Sequence, residues 1–393
     1  MSTQAIPTTD VDIFSDEVIL DPHPTYRQLR DLGPAVWMER HTAWIAPRYA
    51  EVHSALQDWE TFSSASGLAL NDIMNSAQRN LLTAEPPEHA TLRRVLGARL
   101  TPRALRQLEP EFQRRADALI DELVEKGTFE GVSEFSVKFP LSVVPDLLGC
   151  PPGDRSKLLD WAAGTFDAAG PLNERAQSAF AVFEDLMAYL LGMATNGGMD
   201  PDGWWSDILV QANEHDIPAD KQPFLIFDFL VPSMDTTISA LSTALWQLGQ
   251  SPDQWQKVRE DRTLIDNIAD EATRFEAPAR GFARLLTKDV DLGGVHLPAG
   301  DRVFLSYSSA NRDERRWESP DTFDITRDTR GHIGFGSGIH RCLGMGLAKL
   351  ETRTLFTALA NRVESFEVGD PTWRPNNIIR NIGAMPVTIH SGR

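Results

Sequence analysis

The chain has 393 residues, 41% apolar and 24% charged, which gives material for a large core and the charge content of an ordinary globular protein. A formal net charge of -18 lacks the basic footprint that a phosphate backbone requires, so general nucleic-acid binding is excluded. The two cysteines, Cys150 and Cys342, are too few for a disulfide framework or a four-cysteine zinc site and fit a reducing, cytoplasmic setting.

Taken in chain order, Met1 to Ile13 is polar, with neither a basic region followed by an apolar run nor a stretch near about twenty apolar residues, so neither export nor membrane insertion is expected. Thr101 to Glu125 reads as a helix. Thr101 can cap it, Pro102 suits its first turn, and Leu105, Leu108, Phe112, Leu119 and Leu123 recur at helical spacing. The apolar run from Phe224 to Val231, continued past Asp235 towards Leu248, predicts a long central helix. Strand signals fall at Ala43 to Ala46, at Val290 to Leu297 with Gly293-Gly294 as a hairpin turn, and at Val303 to Ser306. Asn311 to Gly338 has little periodicity and reads as a long ordered loop, a feature that is usually functional. No linker, charge block or repeat divides the chain, so one domain over residues 1–393 is expected.

The end of that loop carries the chemistry. Gly334, Gly336 and Gly338 allow tight turns and close approach of backbone to a flat ligand, and Cys342 then stands just before a helical run, Leu347 to Leu359. Near a helix N-terminus, free amide donors and the helix dipole stabilise a thiolate and tune its donation to a metal. Heme iron fits that demand.

At Phe335, Gly336, Gly338, His340, Cys342 and Gly344 the sequence resembles the heme-binding loop of the cytochrome P450 family, with Cys342 as the iron ligand. Further landmarks follow in the family's order. Glu271 and Arg274, one helical turn apart, resemble its Glu-x-x-Arg helix, and Arg327 looks like the third member of that ion cluster. His89 and Arg93 resemble its propionate-binding pair, and Arg284 and His340 match the remaining propionate contacts. On the central helix, Asp235 and Thr236 match the acid and alcohol that deliver protons to dioxygen; a Thr bonded back to its own helix carbonyl is the plainer alternative. Pro232-Ser233 stands where the family usually has a small Ala-Gly, and Pro232 leaves the carbonyl of Asp228 without its amide donor, so a local kink is expected.

The resemblance implies a mainly α protein with the cytochrome P450 fold and a small β-rich lobe. The cofactor would be heme b (iron protoporphyrin IX), with dioxygen as co-substrate and electrons from NAD(P)H through a ferredoxin or flavodoxin-like donor. The implied activity is a cytochrome P450 monooxygenase that hydroxylates or O-dealkylates a small apolar, aromatic substrate; the alternatives are a peroxide-driven heme oxygenase and a non-catalytic heme-binding sensor. The retained Asp235-Thr236 pair favours the reductase-fed enzyme, and a basic patch of Arg93, Arg94, Arg99, Arg341 and Lys349 is expected on the cysteine side for the donor. By position, the substrate would meet Leu82, Phe166, Ala169, Phe227, Asp228, Val231, Pro232, Ala279 and Phe282. The sequence texture resembles family members acting on para-substituted benzoates. A benzoate carboxylate would meet Asp228 unfavourably, with Ser76 and Arg79 in a shifted arrangement, so a neutral or phenolic aromatic is expected, with a cationic amine as rival. If Asp228 is otherwise engaged, that inference lapses.

Overall fold

The structure is a computed structural model describing residues 6–77 and 80–390; Arg79 and the start of the polar N-terminal stretch lie outside the described residues. Helix dominates, as the resemblance implies. The helix Pro102–Lys126 starts where sequence reasoning puts it, with the Thr101 hydroxyl accepting the amide of Ala104 at 3.3 Å, and Gly127 closes it at φ 73. The central helix Gln222–Gln250 is 29 residues, about 43 Å long at ordinary helical rise, and it continues through Pro232 as one element. It packs against the helices Leu158–Ala168, Glu174–Asn196, Lys138–Leu148 and Ile265–Phe275 and against the strands Ser365–Val368 and Asn381–Ala384. That is why most of its residues are buried, polar ones such as Thr237, Ser239 and Ser242 included.

The largest sheet has six short strands, in the order Thr8–Thr9, Val36–Met38, Ala43–Ala46, Arg302–Ser306, Gly281–Leu286, Phe62–Ser63. It mixes parallel and antiparallel pairs, Trp44 facing Val303 in parallel and Ala283 facing Phe304 in antiparallel register. The hairpin Val290–Leu292 with Val295–Leu297 turns through Gly293 and Gly294, both at positive φ. A smaller apolar cluster built on Trp44, Val303 and Leu305 lies at this sheet, beside the main core that the helices share.

The segment from Asn311 to the short turn Gly338–His340 contains no helix or strand. It is held by a buried ion cluster. Glu271 and Arg274 come from the helix Ile265–Phe275, and Arg327 reaches the same carboxylate from the loop at 3.3 Å. The helix Met345–Arg362 follows and packs along Pro102–Lys126 and Ile265–Phe275. Two helices, Glu174–Asn196 and Gln222–Gln250, are long and apolar enough by length and composition to cross a membrane, but 72% of the second one's apolar window is buried, as befits a core helix.

Candidate active site

The Cys342 amide donates to the carbonyl of Phe335 at 2.8 Å, closing the loop so that the sulfur meets the amides of Gly344 and Met345 at the start of the helix Met345–Arg362. Burial pushes the thiol up, while those amides and the Arg93 and Arg341 cations favour its anion. The sulfur is nevertheless accessible, and Cys342 lines a cleft of about 600 Å³. The glycines divide by role. A Cβ on Gly338 would lie 2.2 Å from the carbonyl oxygen of Leu56, and one on Gly334 would lie 2.5 Å from Thr273. Close packing within the protein, rather than approach to a ligand, requires those two. Gly336, at φ +66, is required by the turn itself.

Around the loop stand polar groups without partners. His89 and His340 meet edge to face, ring centroids 4.9 Å apart; His89 Nε2 and His340 Nδ1 are buried with no hydrogen bond, while His340 Nε2 lies 3.1 Å from Ser64 Oγ. Burial, with Arg284 beside it, lowers His340 to about 3, so it stays neutral. Arg284 is buried in the strand Gly281–Leu286 without a carboxylate partner among the described residues, and Arg93 bonds only the carbonyl of Arg341, at 2.9 Å. Two unpaired cations and two orphaned imidazoles beside an accessible thiol form a donor set that fits heme, an anionic macrocycle with a metal at its centre.

On the central helix, Phe224, Asp228, Pro232 and Thr236 are half-buried at a spacing of four, with Ser233 beside them, while their neighbours are buried. Between Pro223 and Leu245 the helix therefore opens along this stripe and is buried elsewhere. The Thr236 hydroxyl lies on it and donates to the carbonyl of Pro232 at 2.5 Å, the back-bonded state. Asp235 faces the other way. It is buried towards Asn381, Arg374, Asp160 and Asp167, its Oδ2 has no partner, and burial raises it to about 7.

Separations of three, four and seven on a helix would put Asp228, Val231, Pro232 and Asp235 on one face. The structure separates them, keeping Asp228 and Pro232 on the open stripe and burying Val231 and Asp235. Phe227 is buried and packs edge-on against Phe183. Leu82, Ala279 and Phe282 are half-buried, and Phe166 and Ala169 are buried. Asp228 is engaged, its Oδ2 accepting the amide of Leu81 at 2.8 Å, and burial pushes it up to about 8. An acid held neutral repels no carboxylate, so the expectation drawn from its charge lapses. Ser76 donates to the carbonyl of Ile73 in its own helix.

The expected basic patch is only partly assembled. Arg93, Arg341 and Lys349 line the cleft of Cys342, joined by Arg106 and Arg353. Arg99 is instead paired with Asp207 at 2.8 Å, and Lys349 with Asp270 at 2.6 Å. Sequence reasoning missed Asn71, whose buried amide donates to the carbonyls of Ala168 and Gly170 at 2.8 and 2.7 Å, and also Ser64, Asn377 and Asn381. Their partners lie far away in the chain, and no local pattern marks them.

With this geometry described, comparison with known proteins becomes decisive. The family model for cytochrome P450 matches residues 208–388. The chain is 35% identical over 390 residues to cytochrome p450 CYP199A2 of Rhodopseudomonas palustris, covering 98% of this chain and 95% of that protein. It is 30% identical to the cytochrome P450 monooxygenase PikC of Streptomyces venezuelae, covering 100% of this chain and 97% of that one. Among solved structures it is similar to Mycobacterium marinum cytochrome P450 CYP268A2 in complex with pseudoionone, with TM-score 0.88, 25% identity and coverage of 98% and 100%. It is also similar to cytochrome P450 CREJ in complex with (4-ethylphenyl) dihydrogen phosphate, with TM-score 0.84, 27% identity and coverage of 95% and 98%. The chain belongs to the cytochrome P450 family. It is a cytochrome P450 monooxygenase, and family membership brings heme, dioxygen and electrons derived from NAD(P)H.

Proposed function

We propose that residues 1–393 form one cytoplasmic monooxygenase domain that carries heme b, takes electrons from a ferredoxin or flavodoxin-like donor, and hydroxylates or O-dealkylates a small apolar aromatic substrate. The observation that carries this reading is the exposed Cys342, set against two amides and ringed by His89 and His340, each with one buried ring nitrogen unbonded, and by Arg93 and Arg284, which have no carboxylate partner among the described residues. When bound, the heme supplies the iron at which dioxygen is activated. Cys342 would ligate it, Phe335 and Gly344 would pack beside the sulfur, and the four cationic or imidazole side chains would hold its propionates.

The chain's own groups then move protons and exclude water. Asp235, held near neutrality by burial, takes up protons from the side of Asp160, Asp167 and Arg374. Thr236, on the open stripe, relays them through its hydroxyl, and the retention of this pair argues for a reductase-fed enzyme over a peroxide-driven one. Leu82, Pro232, Ala279 and Phe282 offer apolar surface to the substrate. The aromatic phosphate bound by the similar protein CREJ agrees with an aromatic guest.

The test is optical. The reduced protein with carbon monoxide is expected to show the red-displaced Soret band of thiolate ligation, and Cys342→Ser to abolish it; an unchanged spectrum would end the reading. Product formation that requires NADH and a ferredoxin pair, with none from peroxide alone, separates the monooxygenase from its rivals.

A further inference from the structure

We propose that Asp228 is a hydrogen-bond donor that selects substrates bearing a neutral acceptor oxygen, aryl ketones and esters being the fitting class. The proposal rests on the monooxygenase reading above.

Asp228 sits half-buried on the open stripe of the central helix, in line with Pro232 and Thr236. Its two oxygens differ. Oδ2 faces an N–H donor, that of Leu81 at 2.8 Å, and can only accept there. Oδ1 has no hydrogen-bond partner among the described residues, yet it is not among the fully enclosed polar atoms, so it stands open on the stripe. No cation or other titratable group among the described residues acts on this carboxyl; burial and the Leu81 amide are its only influences. Burial without a counter-ion favours the neutral acid strongly. Because Oδ2 already accepts, the proton belongs on Oδ1, and the open oxygen is a donor.

Three kinds of substrate could meet it. A carboxylate would bring a charge to a group on which no cation among the described residues acts, and the proposed lining side chains Leu82, Pro232, Ala279 and Phe282 are apolar neighbours that supply none. An ammonium group would require Asp228 to ionise with a single amide to support it, and both ions would be desolvated. A neutral carbonyl needs neither change. It satisfies the only donor that these apolar neighbours leave unmatched, and a mismatched guest would leave that donor unpaired.

The experiment uses the heme-loaded protein and three probes of one size: 4-methoxyacetophenone, 1-methoxy-4-isopropylbenzene and 1-(4-methoxyphenyl)ethylamine. Binding is read from the ferric spin-state shift at pH 6.5 and 9.5, on the two sides of the Asp228 titration. In the wild type at the lower pH, the ketone is expected to bind roughly tenfold more tightly than the hydrocarbon analogue. That advantage should vanish at the higher pH and in Asp228→Leu. It should persist at both in Asp228→Asn, whose amide donates at any pH. Independently of any probe, the infrared difference between wild type and Asp228→Asn at pH 6.5 should contain the carbonyl stretch of a protonated acid, displaced when the ketone binds. A carboxylate stretch instead, tightest binding by the amine, or equal binding of ketone and hydrocarbon overturns the assignment while the carbon monoxide band stays intact. Loss of that band itself would indict the enzyme class.

Discussion

Arg274 lies flat against Glu271, one turn before it on the same helix, with Nε 2.7 Å from Oε2 and Nη2 2.8 Å from Oε1, and neither side chain has any exposure to solvent. The remaining Arg274 donors hold the carbonyls of Asn311, Pro320 and Thr322, and Glu271 also takes the amide of Asp324 at 2.9 Å. One buried pair thus fixes the start and the middle of the loop that leads to Cys342. Glu271→Ala would leave Arg274 buried and unpaired, which costs about 3–5 kcal/mol. Denaturant unfolding and heme stoichiometry are expected to fall together. The exposed pair of Arg330 with Asp328 supplies the contrast, since Arg330→Ala should leave the unfolding midpoint and the heme stoichiometry unchanged.

Proton delivery should follow the titration of Asp235. Burial raises this acid to about 7, Arg374 and the Asn381 amide oppose the rise, and Asp167 and Asp160 add to it. The neutral acid, the form that can give a proton, predominates below about pH 7 and is lost above it. Turnover per electron consumed should therefore decline as pH rises through 7. Asp235→Asn should lower turnover by roughly 10²–10⁴ and flatten the pH profile. A variant with the wild-type rate and profile would remove Asp235 from the relay.

Asn71, just before the short helix Asp72–Ala77, is tied to the turn after the helix Leu158–Ala168 through its two bonds to Ala168 and Gly170. On the opposite side, Asn377 donates to the carbonyl of Asp167 at 2.7 Å. Asn71→Ala leaves two carbonyls without their donor and should destabilise by about 1–3 kcal/mol. Hydrogen exchange should quicken around 168–173, and bound ligand should leave faster. Exchange unchanged in that turn would show that the tie is not what holds it.

Arg93, Arg106 and Arg341 line the cleft of Cys342 and carry no carboxylate partner among the described residues, whereas Arg99, Lys349 and Arg353 are each paired with an acid. On a chain of net charge -18, this is the face to which an acidic donor would be steered. Arg106→Glu should slow reduction about tenfold at low salt, with the deficit shrinking as salt rises, and should leave the substrate-induced spin shift intact. Arg99→Glu should slow reduction less. Stopped-flow reduction across ionic strength measures both.

Much of the fold could be read locally. Thr101 with Pro102 marked a helix start, Gly293-Gly294 marked a hairpin, and the run from Phe224 marked the central helix, because caps, turns and apolar spacing are properties of adjacent residues. The Cys342 loop was legible for the same reason. The direction of each central-helix side chain was not: Asp228 and Asp235 are seven apart, nominally on one stripe, yet the first opens onto the interior space and the second is buried towards Asn381 and Arg374. A separation of seven drifts by about 20° on a straight helix, and which neighbours cover each position depends on elements from elsewhere in the chain.

What the sequence determined by itself is therefore the Cys342 loop: a cysteine before a helix start, preceded by glycines, with the Glu271 and Arg274 pair upstream. Tertiary structure alone decided which charges are spent and which are free. Arg99 and Lys349 are taken up by Asp207 and Asp270, Asp228 by the amide of Leu81, while His89 keeps a buried, unbonded Nε2 and Arg284 has no carboxylate partner among the described residues. Charge type is written in the chain, but solvent exclusion and the distance to a counter-ion, which fix protonation and affinity, exist only once remote segments are packed together.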